Sequence, residues 1–242
     1  FETFVEAGGN FFDTANSYTG GTSERFLGDF IASDRDRFVV GTKYTQAESR
    51  ADPNGSGCHR KSLVRSLEAS LRRLGTEYVD VLWLHAWDFL TPVDEVLRAL
   101  DDVVRAGKVL YVGISDTPAW IVSRAVTLSD LRGWSRFVGL QAEYNLARRS
   151  AERELLPMAA ELGLGVTAWG PLGAGLFTGK YSDGGSGAAG GGGIDEGAGG
   201  SPAPRGRLEE AEMYAGTLSE PNLRVAREVD AVAADLGAPP AQ

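Results

Sequence analysis

The sequence predicts an α/β fold, an incomplete (β/α)8 TIM barrel, and three observations carry that expectation. Six short apolar runs alternate with amphipathic helical stretches between Phe11 and Trp169, and strands separated by helices pair in parallel through right-handed crossovers. Reactive residue types stand at the carboxyl ends of several different runs, which is where a barrel gathers its chemistry. No Gly-x-Gly-x-x-Gly opens a helix after any run, so a doubly wound sheet lacks its usual phosphate turn.

In chain order, Phe11-Phe12-Asp13 follows a glycine pair and precedes turn formers, which reads as a short strand buried on both faces and ending in an acid. Tyr18 lies just beyond it. The Gly20-Gly21-Thr22-Ser23 turn opens a helix whose buried face is expected at Phe26, Leu27, Phe30 and Ile31. Phe38 to Lys43 is the next strand. After the Asp52-Pro53-Asn54-Gly55 loop, Leu63, Leu67, Leu71 and Leu74 recur at helical spacing, with Gly75 as a left-handed stop. Val79 to Leu84 is a strand ending at His85. Thr91 is expected to cap, and Pro92 to start, a helix with stripe Val93, Val96, Leu97, Leu100 and Val104.

The alternation continues. Val109 to Ile114 runs into Ser115 and Asp116, Thr117-Pro118 is expected to cap the helix of Ile121, Val122 and Ala125, and Phe137 to Leu140 ends at Gln141. Leu155, Leu156, Ala159 and Leu162 mark a further helix, and Gly165 to Trp169 a further strand. Gly184 to Gly200 is mostly glycine and alanine, a composition expected to form a disordered loop. One helix follows, with Ser219 as cap and Val225, Val229, Val232 and Leu236 as stripe. One helix is too little for a second domain, so residues 1–242 read as a single, incomplete barrel domain.

Composition narrows the function. The formal charge of −9 argues against a broad nucleic-acid or anionic-membrane surface, and no run is apolar enough to span a bilayer. The single cysteine, Cys58, excludes an internal disulfide and suits a reducing cytoplasm. No metal-ligand spacing is present. The first residue is Phe, inside an amphipathic stretch, so the expectation is that a start lies upstream.

Several segments together resemble the aldo-keto reductases, in the branch of bacterial aryl-alcohol-type reductases and potassium-channel β subunits. They are Gly9 to Ala15 with Tyr18, Gly41-Thr42-Lys43, Leu67 to Gly75, Asp80 to His85, Gly107-Lys108-Val109, Gly113-Ile114-Ser115, Gly139-Leu140-Gln141 with Tyr144-Asn145, Pro171-Leu172-Gly173 and Gly179-Lys180-Tyr181. The resemblance implies a catalytic set of Asp13, Tyr18, Lys43 and His85. In it Tyr18 is the general acid, and a neighbouring ammonium is what makes a phenol, ordinarily titrating near ~10, a usable donor at neutral pH. Lys43 supplies that ammonium, Asp13 orients it, and His85 donates to the substrate carbonyl.

By the same resemblance Ser115 and Gln141 hold a nicotinamide carboxamide and Trp169 stacks on its ring. Gly170, Pro171, Leu172, Gly173, Gly175 and Lys180 lie along a pyrophosphate. Asp116 stands where many relatives carry asparagine, and Gly170 where serine is common. The expected activity is reduction of small aldehydes or ketones with NADPH, NADH not being excluded. The alternatives are a nucleotide-sensing regulatory subunit and an inactive fragment, because the resemblance also implies that the first and eighth strands and the last helix are missing.

Overall fold

The structure, a computed structural model, describes residues 1–47, 51–52, 54–181, 208 and 216–241. Two compact units make it up, Phe1–Ala142 with Glu152–Thr167, and Glu143–Ala151 with Ala168–Gln242. The expected loop at 184–200 lies outside the described residues.

In chain order come α1 (Glu2–Glu6), β1 (Phe11–Asp13), α2 (Thr22–Ile31), β2 (Val39–Tyr44), α3 (Arg60–Leu74), β3 (Val79–Leu84), α4 (Val93–Arg105), β4 (Val109–Ser115), α5 (Ala119–Arg132), β5 (Phe137–Glu143), α6 (Leu155–Glu161) and β6 (Gly165–Trp169), all in the first unit except Glu143, Ala168 and Trp169, which belong to the second. The strands stand in the order β1-β2-β3-β4-β5-β6, and those from β1 to β5 pair in parallel. A doubly wound sheet reverses its strand order part-way, whereas a barrel keeps chain order. This sheet is therefore part of a (β/α)8 barrel, as expected. Register is what matters for the site: Asp13 lies level with Gly41, Lys43 with Trp83, and Ser115 with Gln141.

α3 shows why the helices cover the strands. Leu63, Leu67, Leu71 and Leu74 are buried together, the His59 side chain accepts from the Ser62 amide at 3.2 Å, and Gly75 at φ 64° closes the helix. That left-handed stop is open to glycine at little cost.

Several local expectations need correction. β1 is not buried on both faces: Phe11 is 39% exposed, because β1 is the first strand of the described sheet and pairs with β2. Phe12 instead joins a ring cluster with Phe1, Phe4 and Phe38, at centroid distances of 4.8, 5.3 and 5.6 Å. On α2, Phe26 and Phe30 are exposed while Glu24, Leu27, Gly28 and Ile31 are buried. The helix is turned so that its glycine faces α3. A Cβ on Gly28 would lie 2.7 Å from the Leu74 carbonyl oxygen, so only glycine permits this approach.

The two proline caps also differ from expectation. Pro92 and Pro118 are themselves the N-cap residues, with ψ 139° and 142°. Their threonines are engaged elsewhere: Thr91 donates its hydroxyl to Asp88 at 2.7 Å, and Thr117 to the Ser115 carbonyl at 2.7 Å. On α6, Ala159 is buried while Leu155 and Leu162 are half-buried.

The second unit holds a kinked 3₁₀ segment, Gly173–Thr178, and α7 (Glu220–Leu236), begun after Ser219. Its apolar cluster is Leu176, Phe177, Leu208 and Ala226, with Val225 and Val229 packed against it. Val232 and Leu236 are exposed rather than part of a buried stripe, and Ala226 and Ala233 take the inward positions. No helix among the described residues is long and apolar enough to cross a membrane.

Gly28→Ala places a methyl group against backbone that cannot yield. It is expected to cost about 1–3 kcal/mol, the range for overpacking. Denaturant unfolding measures this, and an unchanged midpoint would contradict the close α2–α3 approach.

Candidate active site

Four strand ends of the first unit converge on one buried ammonium. Lys43 is 1% exposed, and Nζ forms an ion pair with Asp13 and donates to the Thr14 carbonyl at 2.8 Å. A charge this deep is tolerated only when paired and hydrogen-bonded. β1 and the residue after it provide both partners. Gln141, from β5, donates its side-chain amide to Asp13 Oδ2 at 3.2 Å. Asp13 thereby links the second and the fifth strand through the interior.

The Lys43 ammonium also lies 5.0 Å from the centroid of the Tyr18 ring. Tyr18 in turn meets His85 edge to face, with centroids 6.0 Å apart at 79°. The tyrosine is 42% exposed, so its ring stands at the mouth of the site while Lys43 closes the floor. A tight turn presents it. Thr19, Gly20 and Gly21 are all left-handed, with φ 47°, 62° and 82°, and the two glycines make that run possible.

His85 follows β3, its amide donating to the Tyr44 carbonyl at 3.1 Å. Burial first, and the Lys43 charge second, hold its imidazole down at about 4. It is neutral at pH 7 and carries one N–H to donate. Nδ1 is buried without a hydrogen-bond partner. The loop beyond is held by Asp88, which accepts from the amides of Cys58, Leu90 and Thr91 at 2.7, 2.9 and 2.9 Å. Cys58 itself is a buried free thiol, and burial pushes it up to about 12.

Ser115 ends β4 and lies level with Gln141 on β5, which runs two residues past the expected end, to Glu143; the two residues are 1% and 4% exposed. Thus the structure brings Asp13, Tyr18, Lys43, His85, Ser115 and Gln141 to one end of one sheet. The remaining expected residues belong to the second unit. There Trp169 is 39% exposed and its carbonyl accepts from the Tyr144 amide at 3.3 Å. Gly170 accepts from the Asn145 side chain at 2.9 Å and from the Gly173 amide at 2.9 Å. After Pro171, Leu172 accepts from the amides of Gly175 and Phe177 at 3.0 and 3.2 Å. Gly173, Ala174 and Gly175 are left-handed at φ 57°, 56° and 104°. A Cβ on Gly175 would come within 3.4 Å of Lys180 Nζ, so the ammonium folds over a backbone turn.

One residue of the site escaped sequence reasoning. Trp83 is 3% exposed and lies level with Lys43. A Cβ on Gly41 would stand 3.0 Å from its indole nitrogen, one on Gly139 would stand 3.1 Å from its ring edge, and one on Gly113 would overlap the ring. The indole therefore fills the layer beneath the site, in space three glycines leave open. Their positions carried the signal: Gly41, Gly113 and Gly139 each precede Lys43, Ser115 or Gln141 by two residues, one step down the same inward face. Among the described residues, no group of three or more His, Cys, Asp or Glu could hold a metal ion.

The chain matches the Aldo/keto reductase family over residues 1–242, and it belongs to that family. It is 45% identical over 183 residues to a norsolorinic acid reductase of Aspergillus flavus, which covers 73% of this chain and 47% of that protein. It is 43% identical over 182 residues to an aryl-alcohol dehydrogenase of Pestalotiopsis microspora, with 73% and 47% covered. An aldo-keto reductase of Aspergillus calidoustus is 41% identical over 185 residues, with 73% and 46% covered. The chain thus spans about half the length of the curated relatives it matches.

His85 is expected to titrate near about 4, followed by NMR of its imidazole, and Lys43→Met should raise that midpoint. As pH falls below about 6.5 the unfolded chain takes up this proton first. The folded state therefore loses stability between there and about 4. An unmoved midpoint in Lys43→Met would show that the ammonium does not act on the imidazole.

Proposed function

We propose that this chain carries the active centre of a nicotinamide-dependent carbonyl reductase, with Tyr18 as general acid. The observation that carries the reading is the Lys43 ammonium, buried on Asp13 and 5.0 Å from the Tyr18 ring. A carbonyl oxygen gaining negative charge needs a proton and a hydrogen bond. Tyr18 supplies the first. The nearby positive charge favours the phenolate that is left, so the proton moves at lower cost. His85, neutral at pH 7, donates a hydrogen bond to the same oxygen and holds the carbonyl at one angle. Asp13 pairs with Lys43 and holds it in place.

Each unit offers groups that suit part of a nicotinamide dinucleotide. Ser115 and Gln141, level on adjacent strands, offer the hydroxyl and amide that a carboxamide requires. In the second unit Trp169 offers an aromatic face, and the Gly170, Pro171, Leu172, Gly173 and Gly175 turn with Lys180 combines left-handed backbone with an ammonium, a setting that suits a diphosphate. When bound, the cofactor supplies the hydride. NADPH is the form we propose. The relatives' names support aryl aldehydes or ketones as substrates. The buried free thiol of Cys58 supports a reducing, cytoplasmic setting. A family match that runs through both units supports reading residues 1–242 as part of one barrel domain.

Tyr18→Phe removes the proton and little volume. It is expected to lower kcat for an aryl aldehyde by at least about a hundredfold while leaving cofactor affinity within twofold, read by tryptophan quenching. Retention of a tenth of the activity would rule out Tyr18 as the acid. Lys43→Met is expected to lower kcat by at least about a hundredfold, and a kcat within tenfold of the parent would show that the ammonium does not assist the proton donor.

A further inference from the structure

Glu24 is a buried acid that the proposed chemistry does not use. It stands on the first turn of α2 and is 0% exposed. Each carboxylate oxygen receives one donor: the Thr42 hydroxyl at 2.5 Å on Oε1, and Arg73 Nε at 2.5 Å on Oε2. Thr42, also 0% exposed, directly precedes Lys43 on β2, and Arg73 lies in the last turn of α3. Charge-assisted bonds of this kind are short and directional, so they fix geometry as well as contribute energy. One carboxylate therefore joins the segment that bears Tyr18 to the strand that bears Lys43.

The turn between Tyr18 and Glu24 needs such support. Three successive left-handed residues give it little regular backbone bonding of its own. Arg73 runs directly beneath it: a Cβ on Gly21 would lie 2.7 Å from both Cδ and Nε of the arginine. The Thr14 and Ser23 hydroxyls pair at 2.7 Å across the loop, and before the tyrosine Asn16 and Ser17 each donate to Gln46 at 3.2 Å. The loop is tied at both ends to β2 and the residues that follow it. Of these ties only Glu24 is fully buried and ionic.

We propose that Glu24, with Thr42 and Arg73, is a positioning residue that sets the spacing between Tyr18 and Lys43. It rests on the reading of Tyr18 as the proton donor. The carboxylate touches neither substrate nor cofactor. It acts by holding the start of α2 against β2, so that the left-handed turn presents the phenol over the ammonium and not away from it.

Thr42→Val removes one donor without changing shape, and Thr42→Ser keeps that donor, so the pair tests the proposal. The first readout is amide hydrogen exchange of residues 15–23, resolved by peptide against the rest of the chain. The second is the split of kcat from KM for an aryl aldehyde. Thr42→Val is expected to speed exchange of 15–23 about tenfold and to lower kcat about tenfold with KM unchanged, the scale of one lost charged hydrogen bond. Thr42→Ser should return both to the parent values. Glu24→Gln, which points an amide donor at one of its two partners, should repeat the Thr42→Val pattern. Unchanged exchange in 15–23, a rise spread evenly along the chain, or a loosened loop with unchanged kcat would each overturn the proposal. A fully active Tyr18→Phe would overturn the reading beneath it, and that result does not depend on the exchange data.

Discussion

A buried lysine is the constraint on which the first unit's site depends. An ammonium that is 1% exposed must find a counter-charge and acceptors within a few ångströms. Here they come from β1, through Asp13 and the Thr14 carbonyl, and Gln141 of β5 completes the carboxylate's bonding. Burial, and then the same ammonium, hold His85 neutral, and the ammonium faces the Tyr18 ring. Three strands and the loop bearing the tyrosine are thus arranged around one charge.

The layer below gives this arrangement its floor. Trp83 spreads beneath Lys43 and Gln141 because Gly41, Gly113 and Gly139 vacate the neighbouring inward positions. Large and small residues alternating across facing strands is how a barrel interior is filled. A rigid indole under a paired lysine leaves the site little freedom to sink inward.

Polar side chains do comparable work in the loops. Asp88 binds three backbone amides after β3 and draws the Thr91 hydroxyl away from α4. Its carboxyl is held down at about 2: burial acts to raise it, and the amides of Cys58 and Thr91 and the Thr91 hydroxyl, together with the Leu90 amide, outweigh burial. Glu24 does the same for the segment after β1, but with an arginine and a threonine as donors. One acid lies in a loop and the other in the first turn of a helix, and each is a local anchor for a segment that leads to the site.

The alternation of strands and helices, the polar residues at or near the strand ends, and helix stops such as Gly75 were legible in the sequence, although β2 and β5 run on to Tyr44 and Glu143, past the expected ends at Lys43 and Gln141. Those depend on local periodicity and on backbone freedom, which neighbours along the chain decide. Family motifs added the expected roles of Asp13, Tyr18, Lys43 and His85. Tertiary packing set which face of α2 turns inward, since Phe26 and Phe30 are the apolar choice and Glu24 and Gly28 are the buried ones. It decided that Pro92 and Pro118 cap their helices because their threonines have partners elsewhere. It also placed Trp83 beneath the site. In each case the deciding contact joins residues far apart in the chain, a glycine opposite a carbonyl or an acid opposite an arginine, and no local pattern records which partner will arrive.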